Sequence, residues 1–261
     1  MRTQGTSACG SGLGDAYDPG DIDAGVDGSA ALTSAAALNR ELLRRAGVLA
    51  VSVLGGPGCG KTALIDATID RLAPDLTVVG VIACDSAAGT DAGMRSRYAQ
   101  RVVRMPSGDD GGADAQGLRN ALRRVDLRRP GVLFVEDDAP AAPPERHDIG
   151  QGATAVVYSV ASGHRVAAGR PDLVRAADAV ILNKIDLIAS VHFDLHAFRA
   201  EVRRLNPRAV IFELSAMTSR GVSPWIGWLQ SQAAGVAAQG AALSRPASPR
   251  PAGHPRNGTP S

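Results

Sequence analysis

The chain has 261 residues, 44% hydrophobic and only 3% aromatic, with a formal net charge of +2. No basic stripe lies on the stretches that read as folded, which argues against a nucleic-acid partner, and no apolar run approaches the length of a membrane span. The three cysteines (Cys9, Cys59 and Cys84) form no CxxC pair and the chain opens with no basic-then-apolar leader, so the expected compartment is the cytoplasm.

Residues 1–31 are rich in Gly, Ala, Ser and Asp, and residues 233–261 in Ala, Gly, Pro, Ser and Arg. Such segments bury too little apolar surface to offset chain entropy, so both are expected to be disordered tails around one domain at 32–232. Within that domain, Leu38, Leu42 and Leu43 share a face after the candidate caps Thr33 and Ser34, which predicts a helix over 34–46. The apolar run 48–54 reads as a strand buried on both faces. A glycine-rich loop follows, then a helix through Leu64, Ile65 and Leu72, stopped before Pro74.

The alternation repeats. Strands are expected at 77–83, 132–135, 154–160, 179–182 and 209–214, with a weaker candidate at 101–105. Helices are expected between them, at about 91–99, 114–125, 172–177, 194–205 and 222–232. The pattern implies an α/β fold with a mostly parallel central sheet, helices on both faces, and ligands at the carboxyl ends of the strands.

The loop Gly55-Gly56-Pro57-Gly58-Cys59-Gly60-Lys61-Thr62 satisfies G-x-x-x-x-G-K-[ST] between a strand and a helix. Its glycines let backbone N–H groups turn toward a β-phosphate, and the helix adds its positive end. Lys61 is expected to bridge the β- and γ-phosphates, and Thr62 to place its hydroxyl on Mg²⁺. Asn183-Lys184-Ile185-Asp186 ends a strand, where an N-K-x-D segment reads guanine: the carboxylate accepts from the ring N1–H and the exocyclic amine, a donor pair adenine lacks. Ser215-Ala216, past the last strand, is where a backbone N–H would meet the guanine carbonyl. Glu136 ends the strand 132–135 and is the first candidate for holding the Mg²⁺ shell, although Asp137 and Asp138 follow it. Asp85 is a second candidate for metal or γ-phosphate sensing.

Of 28 basic residues only Lys61 and Lys184 are lysines, and both fall in these motifs, where a broad guanidinium fork does not substitute for a slim ammonium. His192 and His196 stand four apart, but Asp194 is expected to cap the helix between them, so both read as surface residues.

With these motifs in place, the chain resembles the nickel-insertion GTPases of hydrogenase maturation (HypB type), relatives of the urease accessory GTPases. The resemblance runs from about Leu38 to Leu229 and includes Asp85, Asp91 and Arg95 in a switch I-like stretch, LFVED, DLVRAADAVILNKIDL and LNPRAVIFELSAMTSRGVSPWIGWL. It implies a three-layer P-loop fold of the SIMIBI type, GTP and Mg²⁺ as ligands, and a nickel-hydrogenase precursor or other maturation factors as partners, with a homodimer left open. It also implies Ni²⁺ or Zn²⁺ ligands that are missing here. The family's Cys-His pair falls on Gly111 and Gly112 and its second cysteine on Pro143, none of which has a ligand atom on its side chain. A switch glycine has become Ala139, followed by Pro140, and the lysine of the last guanine motif has become Met217. Two readings remain open: a GTPase that times metal delivery, and a non-hydrolysing GTP-binding paralogue that regulates or pairs with one. A small-molecule kinase is disfavoured by NKID and by the lack of an arginine-rich lid.

Overall fold

The computed structural model describes residues 28–72, 76–85, 102–108, 112–137 and 148–243. The helix expected at 91–99, the switch I-like residues Asp91 and Arg95, and Gly111, Asp138, Ala139, Pro140 and Pro143 lie outside the described residues.

Seven parallel strands form one sheet: β1 (Val48–Leu54), β2 (Val78–Asp85), β3 (Val102–Pro106), β4 (Gly131–Asp137), β5 (Ala153–Ser159), β6 (Ala179–Asn183) and β7 (Val210–Glu213). Their spatial order is β3-β2-β4-β1-β5-β6-β7. Every residue of β1, β4, β5 and β6 is buried, which explains why these segments read as unbroken apolar runs and not as alternating ones. The weak candidate at 101–105 is the edge strand β3, where only Met105 is buried.

Helices cover both faces: α1 (Gly28–Ala46), α2 (Lys61–Ile69), α3 (Ala115–Leu122), the short α4 (Val166–Gly169) and α5 (Pro171–Ala176), α6 (Leu195–Leu205) and α7 (Val222–Leu243). Alternate residues of the strands divide the core. Val51, Val53, Phe134 and Val157 pack with Leu64, Trp225 and Leu229 of α2 and α7. On the opposite face, Ala50, Leu133 and Val135 pack with Leu43 of α1 and Leu118 of α3.

Three boundaries differ from expectation. Helix α1 begins at Gly28, so Thr33 and Ser34 lie inside it and are not its caps. The alanines ahead of Leu38 favour helix, and Ala35 and Ala36 are buried against Ala115. Helix α2 ends at Ile69 and turns through Asp70 to Leu72. Helix α7 runs to Leu243, past the expected end at 232, so residues 233–243 are ordered helix and not tail. Small side chains bury little surface by themselves, but here they allow close approach. A Cβ on Gly240 would lie 2.8 Å from the Arg44 carbonyl oxygen and 3.0 Å from Gly47 Cα. Among the described residues, the one-turn 3₁₀ segment Val160–Ser162, the two-turn 3₁₀ segment Ile185–Ser190 and helix α4 are too short to show a period in the sequence.

Candidate nucleotide-binding site

Strand β1 sits mid-sheet between β4 and β5; the chain runs from it to β2 on one side and later crosses from β4 to β5 on the other, so a crevice opens at the carboxyl ends of β1, β4, β5 and β6. The loop 55–60 occupies that crevice. Its backbone demands glycine at both positions the motif names, Gly55 and Gly60, and also at Gly58, which the motif leaves open. Gly58 and Gly60 have φ of +72° and +94°, a region unfavourable to other residues. A Cβ on Gly55 would lie 2.6 Å from the Val157 carbonyl oxygen, and one on Gly60 would lie 2.5 Å from Asn183 Nδ2. Cys59 is buried, filling the inside of the turn. Gly60 is the N-cap of α2 and gives it no side-chain cap, so the loop leads straight into the positive end of a helix. This backbone fits a phosphate chain.

Lys61 is only 6% exposed, and its ammonium donates to the carbonyl oxygens of Gly55 (2.9 Å) and Gly56 (3.3 Å), across the mouth of the loop. Thr62 Oγ1 donates to Glu136 Oε1 at 2.5 Å. Of the two acidic residues that end β4, Glu136 is therefore the one directed to the P-loop threonine. Hydroxyl and carboxylate are the hard oxygen donors that suit Mg²⁺. Asp137 points elsewhere: it is 2% exposed, and its Oδ2 accepts from the Ala113 N–H at 3.0 Å, in the loop between β3 and α3. Asp85 ends β2, whose Ala83 is paired with Glu136, so its backbone lies just past the level of the Thr62–Glu136 pair.

The N-K-x-D segment joins the same site through Asn183, which is 1% exposed. Its amide Nδ2 donates to the carbonyl oxygens of Cys59 (3.0 Å) and Gly60 (3.4 Å). Its Oδ1 accepts from the N–H groups of Lys184 (2.7 Å) and Ala216 (3.0 Å). One side chain thus fastens together the ends of β1, β6 and β7. Lys184 takes the left-handed backbone at φ +63°, rare for a residue with a side chain, and donates its ammonium to the Gly58 carbonyl at 2.7 Å. Asp186 is exposed in the first turn of the 3₁₀ segment that follows. Ser215 has a role its motif position did not announce. It is fully buried, its hydroxyl accepts from Thr218 N–H, and its own N–H donates to the Arg220 carbonyl. Together these bonds fold the 215–221 turn, with Met217 at its tip, 86% exposed. Gly221 closes the turn at φ +74°, where a Cβ would strike the Glu213 carbonyl.

Residues 49–213 match the family model of the CobW/HypB/UreG nucleotide-binding domain. The chain belongs to the CobW/HypB/UreG family. Within that family it is 33% identical, over 183 residues, to a protein of Methanocaldococcus jannaschii that carries the HypB name, covering 70% of this chain and 82% of that one. It is 30% identical over 197 residues to the hydrogenase maturation factor HypB of Azotobacter vinelandii, covering 76% of this chain and 65% of the relative's length. Among solved structures, HypB from Archaeoglobus fulgidus superposes with a TM-score of 0.71 at 27% identity, over 78% of this chain and 99% of that one. HypB from Helicobacter pylori in complex with nickel has the same fold, with a TM-score of 0.69 at 20% identity, over 78% of this chain and 96% of its own.

Gly112 is buried in the bend before α3, and its carbonyl oxygen accepts from the Gly108 N–H at 2.8 Å, closing the loop where the Cys-His pair was expected to align. The histidines fall as expected: Asp194 caps α6 by accepting from Ala197 N–H at 2.8 Å, which leaves His192 outside the helix, and both His192 and His196 are exposed.

Proposed function

We propose that this chain is a GTPase of metalloenzyme maturation, binding GTP with Mg²⁺ and using its hydrolysis to time a step in the assembly of a nickel hydrogenase. The observation that supports this reading best is the Asn183 bridge, which holds the guanine-reading segment and the phosphate loop in one site. Lys61 would neutralise the β- and γ-phosphates, and Thr62 with Glu136 would hold Mg²⁺. When bound, the ion would draw charge off the γ-phosphate during transfer to water. Asp85 would sense the metal or the γ-phosphate, while Asp186 would select guanine, with the Ala216 N–H, which donates to Asn183 Oδ1, shared with the guanine carbonyl. The HypB name of the relatives supports a nickel-hydrogenase precursor or its maturation factors as partners, with the work done in the cytoplasm, and leaves a homodimer open. Nickel and zinc stand apart: the loop glycines and Pro143 offer no side-chain ligand, so this reading assigns the chain nucleotide timing without the family's usual metal grip.

Fluorescent mant-GTP and mant-ATP binding with Mg²⁺, followed by phosphate release, tests the proposal. The expected result is a preference for guanine of about 100-fold or more, because an adenine leaves the Asp186 carboxylate and the Ala216 N–H badly matched. Lys61→Ala should lower turnover by about 100-fold or more, since it removes charge aimed at the transferring group. Equal affinity for the two nucleotides would sink the reading. Nucleotide binding without turnover would favour the non-hydrolysing paralogue.

A further inference from the structure

Helices α1 and α7 meet at the amino end of the sheet, where α1 turns into β1. They touch at Gly240, whose Cβ would lie 2.8 Å from the Arg44 carbonyl oxygen. Little more than one turn earlier in α7, a Cβ on Gly235 would meet nothing within 4 Å. The two helices therefore diverge beside their contact and leave a cavity of about 350 Å³, which Val48 of β1 and Gly152, just ahead of β5, also line. Its volume is that of a small-molecule pocket. Strand β1, seven residues long at about 3.3 Å each, separates it from the phosphate loop.

The two helical walls differ in chemistry. The α1 wall carries the guanidiniums of Arg40 and Arg44, and no carboxylate lines the cavity among the described residues. Asp148 accepts from one nitrogen of Arg40, and Glu41 from two of Arg44, so each guanidinium is oriented and keeps N–H donors to spare. The α7 wall carries Ser231, Gln232 and Gln239, whose side chains make no hydrogen bond among the described residues. Leu43, Val48 and Val236 supply the apolar part of the lining.

We propose that this cavity is a binding site for a small organic carboxylate with an apolar body. Arg40 and Arg44 receive the carboxylate, whose two oxygens suit the fork of a guanidinium. Leu43, Val48 and Val236 cover the body, and the α7 wall binds further polar groups. Charge decides the class: two cations in a lining without anions favour an anionic ligand and reject an amine. The Arg40–Asp148 pair is no obstacle, because both groups are half exposed and such pairs contribute little. Glycine inside a helix is destabilising relative to alanine. The close backbone explains it at Gly240, whereas at Gly235 its effect is to keep the cavity open. The inference is independent of the GTP reading, since no residue assigned to the nucleotide lines the cavity.

Equilibrium dialysis of radiolabelled octanoate against the full chain tests this, with octanol and octylamine as competitors. The expected result is one saturable site per chain. Octylamine should fail to displace octanoate, and octanol should compete about tenfold more weakly or worse, since it lacks the charge-assisted bonds. The double variant Arg40→Gln with Arg44→Gln should weaken binding by about tenfold or more for the same reason. Gly235→Leu, which places a side chain in the cavity, should abolish binding while its Tm stays at or above that of the wild type, because leucine favours helix. If Gly235→Leu does not fold, the arginine variant on the helix surface decides. Absence of a saturable site overturns the proposal, and so does octanoate binding that survives the arginine or leucine substitutions. Octanol binding as tightly as octanoate makes the groove a general apolar crevice and overturns it as well. A wild type that self-associates in sedimentation velocity, becomes monomeric with Gly235→Leu and binds no octanoate assigns the groove to a second copy of the chain instead.

Discussion

Asn183 shows how much one side chain can carry. Both faces of its amide are used, donors toward the phosphate loop and acceptor toward Lys184 and Ala216, so alanine at this position removes the bonds and leaves buried carbonyls and N–H groups without partners. Asn183→Ala is expected to cost about 1–3 kcal/mol of stability and to weaken nucleotide binding by about tenfold or more; chemical denaturation and mant-GDP titration measure the two. A cost confined to binding would mean the bridge matters only to the ligand. Tyr158 is the opposite case. Its hydroxyl is buried with no hydrogen-bond partner among the described residues, and its ring packs edge-on against Phe198. Tyr158→Phe deletes an unsatisfied polar atom and keeps the ring, so its stability at neutral pH should change by less than about 1 kcal/mol, or rise. A large loss would reveal a bond the structure does not contain.

At the level of elements, the informative piece is the second half of α7. Its alanines and glycines look like tail composition, yet Ala233 and Gly240 are buried, and the helix comes down on the turn between α1 and β1. Trp225 anchors the first half by donating its indole N–H to Thr68 of α2 at 2.9 Å, while its ring stacks on Trp228 and meets Phe212 edge-on. Thus one helix buttresses both the phosphate-binding helix and the start of the central strand. Gly240→Val would push a side chain into the backbone of Arg44 and Gly47. The expected cost is about 1–3 kcal/mol, read as a Tm lower by roughly 2–4 °C per kcal/mol in a domain of this size. Gly235 meets nothing within 4 Å, so Gly235→Ala should leave Tm unchanged or raise it slightly, since it also restricts the unfolded chain.

For the whole molecule, pH is the variable that sums over residues. Among the described residues most ion pairs are on the surface, such as Arg128 with Asp126 and Arg204 with Glu201, and pairs of this kind contribute little. Two partly or largely buried groups set the direction. The Arg170 guanidinium bonded to Asp172 holds that carboxyl below its ordinary value, so its contribution is present above about pH 4 and is lost as pH falls through the lower folded value. Burial first, then the nearby Asp172, pushes the Tyr158 hydroxyl up, so its contribution is present below about pH 10 and is lost as pH rises through the higher folded value. Thermal unfolding should accordingly be level across neutral pH and fall at both extremes. In Tyr158→Phe the alkaline fall should be shallower, and an unchanged slope would assign it to other groups.

The glycine spacing, the strand before it and the helix after it were legible in the sequence because their physics is local: a phosphate loop needs particular residues at fixed offsets, and a buried strand needs an unbroken apolar run. Lys184 was legible for the same reason. What the sequence left open were choices between neighbours. It offered Glu136, Asp137 and Asp138 for one role, and only the fold separates the first two, because successive residues of a strand face opposite sides: Glu136 meets Thr62 and Asp137 meets Ala113. It gave Ser215 a place beside the base but not its bond to Thr218. It read residues 233–243 as tail, since small side chains bury little surface by themselves and gain their value only when another backbone comes close enough to use the space. The chemistry of the loop was written in residue types and offsets, whereas the wiring of Asn183, Asp137 and Gly240 depends on which distant segments the sheet order brings together, and no local pattern in the sequence records that.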